Sequence, residues 1–143
     1  MAIDGEFYSF VLFCKGKSLN HSKAIYKGRM IPSQKFKEDK KEYEILLKPH
    51  VSAIKKILNN PDAQKHGITI RFYFAYENFY TKKEGTISKA IPDLDNSLKG
   101  LIDCIFEAAG VEDNIVTSIN AWKGQTTNKD HISISISANL PTS

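Results

Sequence analysis

The chain has 143 residues, a formal net charge of +4 and a pI near 9.0, with 41% hydrophobic and 25% charged residues. These values fit one globular domain over residues 1–143 with a single core, and they exclude a disordered or fibrous chain. No apolar run approaches membrane-spanning length and no signal-peptide pattern opens the sequence, so a cytoplasmic protein with no membrane partner is expected.

Taken in order, Phe7 to Phe13 is aromatic and β-branched enough for a mostly buried strand. Residues 14–32 are rich in Gly, Lys, Ser and Asn and read as a loop long enough to be functional. Ser33 is a candidate N-cap, and Phe36, Tyr43, Leu47, Ile54 and Leu58 then follow a helical period. Pro49 should kink or divide that helix, and Asn59-Asn60-Pro61-Asp62 should end it. Gly67 to Tyr76 is the clearest strand, with Ile68, Ile70, Phe72, Phe74 and Tyr76 on one face. Thr81 to Ala90 is polar and reads as a mobile connection. A helix follows to Gly110, with Leu94, Leu98, Leu101, Ile102, Ile105 and Ala109 as its apolar stripe. Ile115 to Trp122 and His131 to Ser137 are expected to form a hairpin turning at 124–130, before a loose tail from Asn139. The fold class that results is α/β (α+β): a single small domain with a mixed sheet, in the order β-α-β-α-β-β, and helices packed against it.

Chemistry-bearing residues are unevenly placed. Cys14 and Cys104 form no CxxC motif, and His21, His50, His66 and His131 have no zinc-ligand spacing. Between Lys15 and Lys41 stand nine Lys or Arg against two acids, Glu38 and Asp39. Such a segment can bind a polyanion or simply solvate a surface. The acids concentrate later. Asp93 and Asp95 open the helix, Lys99 and Asp103 follow at four-residue steps, and Glu112-Asp113 come just past its end. Helix capping, an Asp95–Lys99–Asp103 ion-pair ladder and a loop would account for these residues without any chemistry. Two acids in Asp-x-Asp register exceed what one cap needs, however, and converging carboxylates suit a hard cation such as Mg²⁺ or Mn²⁺. They can converge only if the chain after Gly110 returns beside the start of the helix, which a mixed sheet can allow.

Pro92-Asp93-Leu94-Asp95-Asn96, followed by Lys99, Asp103, Glu112-Asp113 and Val116, resembles the signature of RusA-type Holliday-junction resolvases. That signature is Pro-Asp-x-Asp-Asn, a lysine three residues after the Asn, a helix, and a pair of acids opening a strand. The likeness is specific from Ile91 to Trp122 and looser in the basic loop. It implies a compact α/β fold and a small Mg²⁺-dependent endonuclease, with Mn²⁺ as a substitute. The enzyme would act as a homodimer, of bacterial or phage origin, nicking two opposed strands of a four-way DNA junction symmetrically in recombination and repair. On this chain it makes Asp93, Asp95 and Asp113 the metal-binding carboxylates, with Glu112 and Asp103 as further acids nearby, and Lys99 the catalytic lysine. DNA contacts would come from Asn20, Lys23, Lys27, Arg29 and Lys35. Glu112 departs from the aspartate often found there, and Ser97 and Gly100 replace apolar or alanine residues. The alternatives are a broader structure-selective nuclease and a junction-binding protein that does not cut.

Overall fold

The computed structural model describes residues 6–19, 23–26, 29–32 and 34–141, with only the backbone course given for 23–26 and 29–32. The main sheet has four strands in the order β1-β6-β4-β5, where β1 is Phe7–Leu12, β4 Ile68–Tyr76, β5 Val116–Gln125 and β6 His131–Ala138. β4 is central because alternate residues along it are apolar. Ile68, Ile70, Phe72, Phe74 and Tyr76 are all buried on one face, opposite Ile132, Ile134 and Ile136 of β6. Burying each such side chain is worth about 1.5–3 kcal/mol. Helices α1 (Gln34–Leu47), α2 (Val51–Leu58) and α4 (Leu94–Ala109) supply Tyr43, Leu47, Ile54, Leu58, Leu101 and Ile105 to the same core. The other face of the sheet carries Arg71, Tyr73, Ser133 and Ser135, with Tyr73 and Trp122 rings 5.6 Å apart.

The expected order of main elements holds, and Pro49 divides the long helix as anticipated, within a 3-10 turn at Lys48–His50. Ser33 lies outside the described residues. Several expectations fail for stated reasons. β5 and β6 are not a hairpin: β5 runs parallel to β4 at the sheet edge, and β6 is antiparallel to both β4 and β1, between them. Residues 14–32 are not all loop, since β2 (Lys23–Tyr26) and β3 (Arg29–Pro32) form a separate two-stranded antiparallel sheet. Asn60 does not merely stop a helix. Its side-chain oxygen accepts from the Asp62 amide at 2.8 Å and starts α3 (Pro61–His66), with proline in the first turn, where no intrahelical donor is needed. β1 buries only Phe10 and Leu12 and leaves Phe7 exposed, because it is an edge strand.

The tail is held at Asn139. Its side chain bonds Thr69 Oγ1 at 2.8 Å, the His66 carbonyl at 3.1 Å and Thr117 Oγ1 at 2.7 Å. The buried face of α4 is also turned from the expected stripe. Ser97, Gly100 and Cys104 are buried with Leu101, Ile105 and Ala109, whereas Leu94, Leu98 and Ile102 are half-buried. Gly100 permits this. A side chain there would place its Cβ 2.7 Å from Leu19 Cγ, so the missing Cβ lets the segment before β2 lie against α4. Tyr43 fixes the same segment by accepting a hydrogen bond from the Lys17 amide at 2.8 Å.

Candidate active site

Pro92 cannot extend a helix backwards, so the chain enters α4 through an extended Asp93 at φ −63°, ψ 144°. Asp93 occupies the N-cap position, yet its carboxylate makes no capping bond. Its carbonyl does the local work, accepting from the Ser97 amide at 3.0 Å and from the Ser97 hydroxyl at 2.9 Å. The Asp93 carboxylate is therefore left exposed and uncommitted among the described residues. Asp95, in the first turn, is exposed beside it, and both acids sit where the helix dipole favours negative charge. Lys99 is exposed one turn further on and lines a groove between α1 and α4 with Lys40, Asp103 and Glu107.

Two contacts here lay outside the sequence reading. Ser97 braces the backbone at Asp93, so the departure from an apolar residue does touch the site. From β5, Lys123 Nζ donates to the Pro92 carbonyl at 3.0 Å. Only the parallel β4–β5 register, which sets Lys123 beside Phe74, could have pointed to it. Beneath the turn lies the Tyr76 hydroxyl, buried and without a well-formed hydrogen bond among the described residues. Burial pushes its pKa up to about 12, and the nearby Ser97 hydroxyl draws it back slightly. The Tyr76 hydroxyl has no hydrogen-bond partner among the described residues, so the two hydroxyls are neighbours rather than a bonded pair.

The other acids gather at the far end of α4. Gly110 closes the helix in the left-handed conformation at φ 68°, and the Gly110 and Val111 amides both return to the Phe106 carbonyl. Glu112 then caps a 3-10 turn, Asp113–Ile115, without a side-chain bond. Asp113 and Glu112 share a surface hollow with Asp103 and Glu107. The Asp103 carboxyl is raised above its ordinary range, first by burial and then by the negative charges of Asp113 and Glu107, while Lys99 and Lys40 pull it down. Lys40 itself pairs with Glu107 at 3.0 Å.

The expected convergence of Asp93, Asp95 and Asp113 does not occur within one chain. Because β5 is parallel to β4, the connecting helix must run back along the sheet, and β5 begins at the opposite end of the strands from the start of α4. Sixteen helical residues at about 1.5 Å each separate the two acidic ends by about 24 Å. Among the described residues, no three His, Cys, Asp or Glu side chains stand together so as to hold a metal ion. The Asp93–Asp95 pair nevertheless fits Mg²⁺ or Mn²⁺ chemically. Such an ion needs only one or two carboxylates when water and a substrate phosphate complete its shell, and these two carboxylates have no other partner among the described residues.

The expected DNA contacts are placed unevenly. Asn20 and Lys27 lie outside the described residues. Lys23 opens β2 opposite Pro32, and Arg29 opens β3 opposite Tyr26, so both fall on one small hairpin. Lys35 is exposed and pairs with Asp39 at 2.7 Å. Lys17 is bound to Glu42 at 2.8 Å, so part of the positive charge is spent internally. Burial raises the Cys14 thiol to about 11 and the Cys104 thiol to about 12, leaving neither ionised near neutrality.

Among the described residues, no helix is long and apolar enough to cross a membrane. No curated protein sequence matches the chain. Residues 17–137, nearly the whole chain and including both acidic ends of α4, match the family described as endodeoxyribonuclease RusA, and the chain belongs to that family.

Proposed function

We propose that this protein is a metal-dependent endodeoxyribonuclease that resolves four-way DNA junctions by paired symmetric nicks, in recombination and repair of bacterial or phage DNA in the cytoplasm. The observation that carries the reading is the Asp93 carboxylate, uncommitted among the described residues, at the N-cap of α4 beside Asp95, in a chain of an endodeoxyribonuclease family. Asp93 and Asp95 would hold Mg²⁺, or Mn²⁺ in its place. When bound, the ion supplies Lewis-acid neutralisation of the phosphate and activation of water. The chain's own work is to present two carboxylates on a helix start braced by Ser97 and to keep Lys99 one turn away. There its ammonium can approach the charge that develops on the phosphate. Lys23 and Arg29 on the β2–β3 hairpin, with Asn20 and Lys27, would grip the backbone and make affinity fall with salt.

A homodimer suits both the substrate and the chain. A junction offers two equivalent strands related by a two-fold axis, and a symmetric pair supplies one site to each. Asp113 lies too far along α4 to reach its own chain's Asp93–Asp95 pair. Its part in the same cation site, with Glu112 and Asp103 near it, therefore depends on a second copy.

The deciding experiment compares a labelled four-way junction with a linear duplex of the same sequence, in Mg²⁺ and in EDTA, for wild type and Asp95→Asn. Paired nicks on the junction alone, lost in EDTA and in Asp95→Asn while junction binding persists, are expected. Equal cutting of flaps and forks would broaden the substrate class. Tight junction binding without cutting in either metal would refute the nuclease reading.

A further inference from the structure

We infer that Lys123 is a positioning residue for the metal-binding turn, a role that rests on the functional reading above. Its ammonium donates to the Pro92 carbonyl at 3.0 Å, from the strand next to β4. That carbonyl belongs to the peptide unit joining Pro92 to Asp93. Fixing the plane of this unit constrains the φ of Asp93, and with it the direction in which the Asp93 side chain leaves the backbone. The Asp93 carbonyl on the next peptide unit is fixed independently by the Ser97 amide and hydroxyl. The residue that would meet the cation is thus held on both sides, from its own helix and from a different strand.

Placement adds to the argument. Lys123 follows Ile119 and Ala121 along the helix-facing side of β5 and is half-buried. A lysine there sets a positive charge near the positive end of the α4 dipole, which is unfavourable in isolation. The Asp93 and Asp95 carboxylates open the same helix end. An ammonium has three donors, and a backbone carbonyl is a weak reward for a cation in that position. A purely structural contact would be served better by a neutral side chain. A cation instead holds the Pro92 carbonyl by a charge-assisted hydrogen bond, stronger than a neutral donor would give. Residues that orient metal ligands from behind commonly change metal affinity or activity by about 10- to 100-fold when removed.

The test uses the full-length protein as wild type, Lys123→Met and Lys123→Arg. Free Mn²⁺ is titrated by electron paramagnetic resonance without DNA, alongside the Mg²⁺ dependence of junction cleavage and junction binding in EDTA. Lys123→Met should weaken Mn²⁺ binding about tenfold and raise the Mg²⁺ concentration for half-maximal cleavage by a similar factor. Its junction affinity in EDTA should stay within about twofold, and Lys123→Arg should recover most of the loss. Lys123→Met with wild-type Mn²⁺ binding and wild-type Mg²⁺ dependence would overturn the inference while leaving the nuclease reading intact. Weaker junction binding in EDTA with unchanged Mn²⁺ affinity would also overturn it, making Lys123 a phosphate contact. If Lys123→Met unfolds, Lys123→Arg and Lys123→Gln carry the same comparison, and Gln must then bind Mn²⁺ less tightly than Arg. Wild type that neither binds Mn²⁺ nor cuts would remove this inference together with the functional reading.

Discussion

Replacing Gly100 with alanine tests whether the close approach of Leu19 to α4 sets the position of the basic segment. An alanine Cβ at this position falls 2.7 Å from Leu19 Cγ and 2.8 Å from both its Cβ and its Cδ1. Helix propensity alone favours alanine over glycine by about 1 kcal/mol in a helix interior. Overpacking acts the other way, at about 1–3 kcal/mol where neighbours cannot yield. Leu19 is 5% exposed, and one of the crowded atoms is its own Cβ, so a rotamer change cannot clear the clash. The backbone before β2 must shift, and the overpacking cost wins by about 1 kcal/mol. For a domain of this size that lowers Tm by about 2–4 °C. The assay is thermal unfolding by circular dichroism, with junction affinity measured in EDTA. Affinity should fall severalfold, because β2 and β3 follow Leu19 closely and no catalytic group has been altered. In a Leu19→Gly background, which removes all three crowding atoms, the same Gly100→Ala change should become stabilising, giving a coupling of about 1 kcal/mol or more. A Gly100→Ala protein that melts above wild type on its own would show that the propensity term wins and that Leu19 does not bear on the helix as described.

Lys99→Ala should slow single-turnover cleavage by about 100-fold or more while changing junction affinity by less than about threefold, as expected for a group that acts on developing charge; a loss confined to affinity would make it a phosphate contact only. Asp103→Asn should raise Tm at pH 7 in metal-free buffer. The Asp103 carboxyl is raised in the folded state, so the folded chain binds the proton more tightly and stability falls as pH rises from the unfolded value through the folded one. The gain from Asn should therefore vanish on acidification below the ordinary carboxylate range, and a gain of equal size at low pH would contradict the charge argument. Tyr76→Phe should leave stability unchanged or raise it by up to about 1 kcal/mol, since a buried hydroxyl without a good partner is a cost. A loss larger than that in chemical denaturation would show that Tyr76 is bonded to Ser97 after all.

What could be read from the sequence was what is local. Alternation along β4 and β6, the helical period ending at Gly110 and the break at Pro49 each depend on residues a few positions apart, and each element formed, although α4 buries a face turned from the expected stripe. Partner choice is not local. β5 and β6 read as a hairpin because they are adjacent and joined by a polar turn, yet β6 pairs with the first strand and the central one. The same non-local choice decided the site. Asp93 and Asp95 stood out as one acid more than a helix cap needs, but whether Asp113 joins them turns on β5 being parallel to β4, which no spacing reveals. Lys123 was hidden for the same reason, because a lone lysine in a strand acquires meaning only from the strand register. The Asn60-Pro61 start of α3 was within reach, since Asn before Pro is an N-cap followed by a first-turn proline as readily as it is a turn.

The position of β6 also bears on how the chain is made. Among the described residues, β6 at 131–138 is the only strand partner of β1, and it closes one side of β4. Phe7 pairs with Ser137, so β1 waits for residue 137 to leave the ribosome. Until then β4, the most apolar strand, exposes one unpaired edge and its row of isoleucines and phenylalanines has no Ile132, Ile134 or Ile136 beside it. Long-range pairing of this kind slows folding and prolongs exposure of an adhesive edge. A nascent chain stalled before residue 131 is expected to be protease-sensitive and prone to associate, whereas one extended past Asn139 and clear of the exit tunnel can close the sheet in one step.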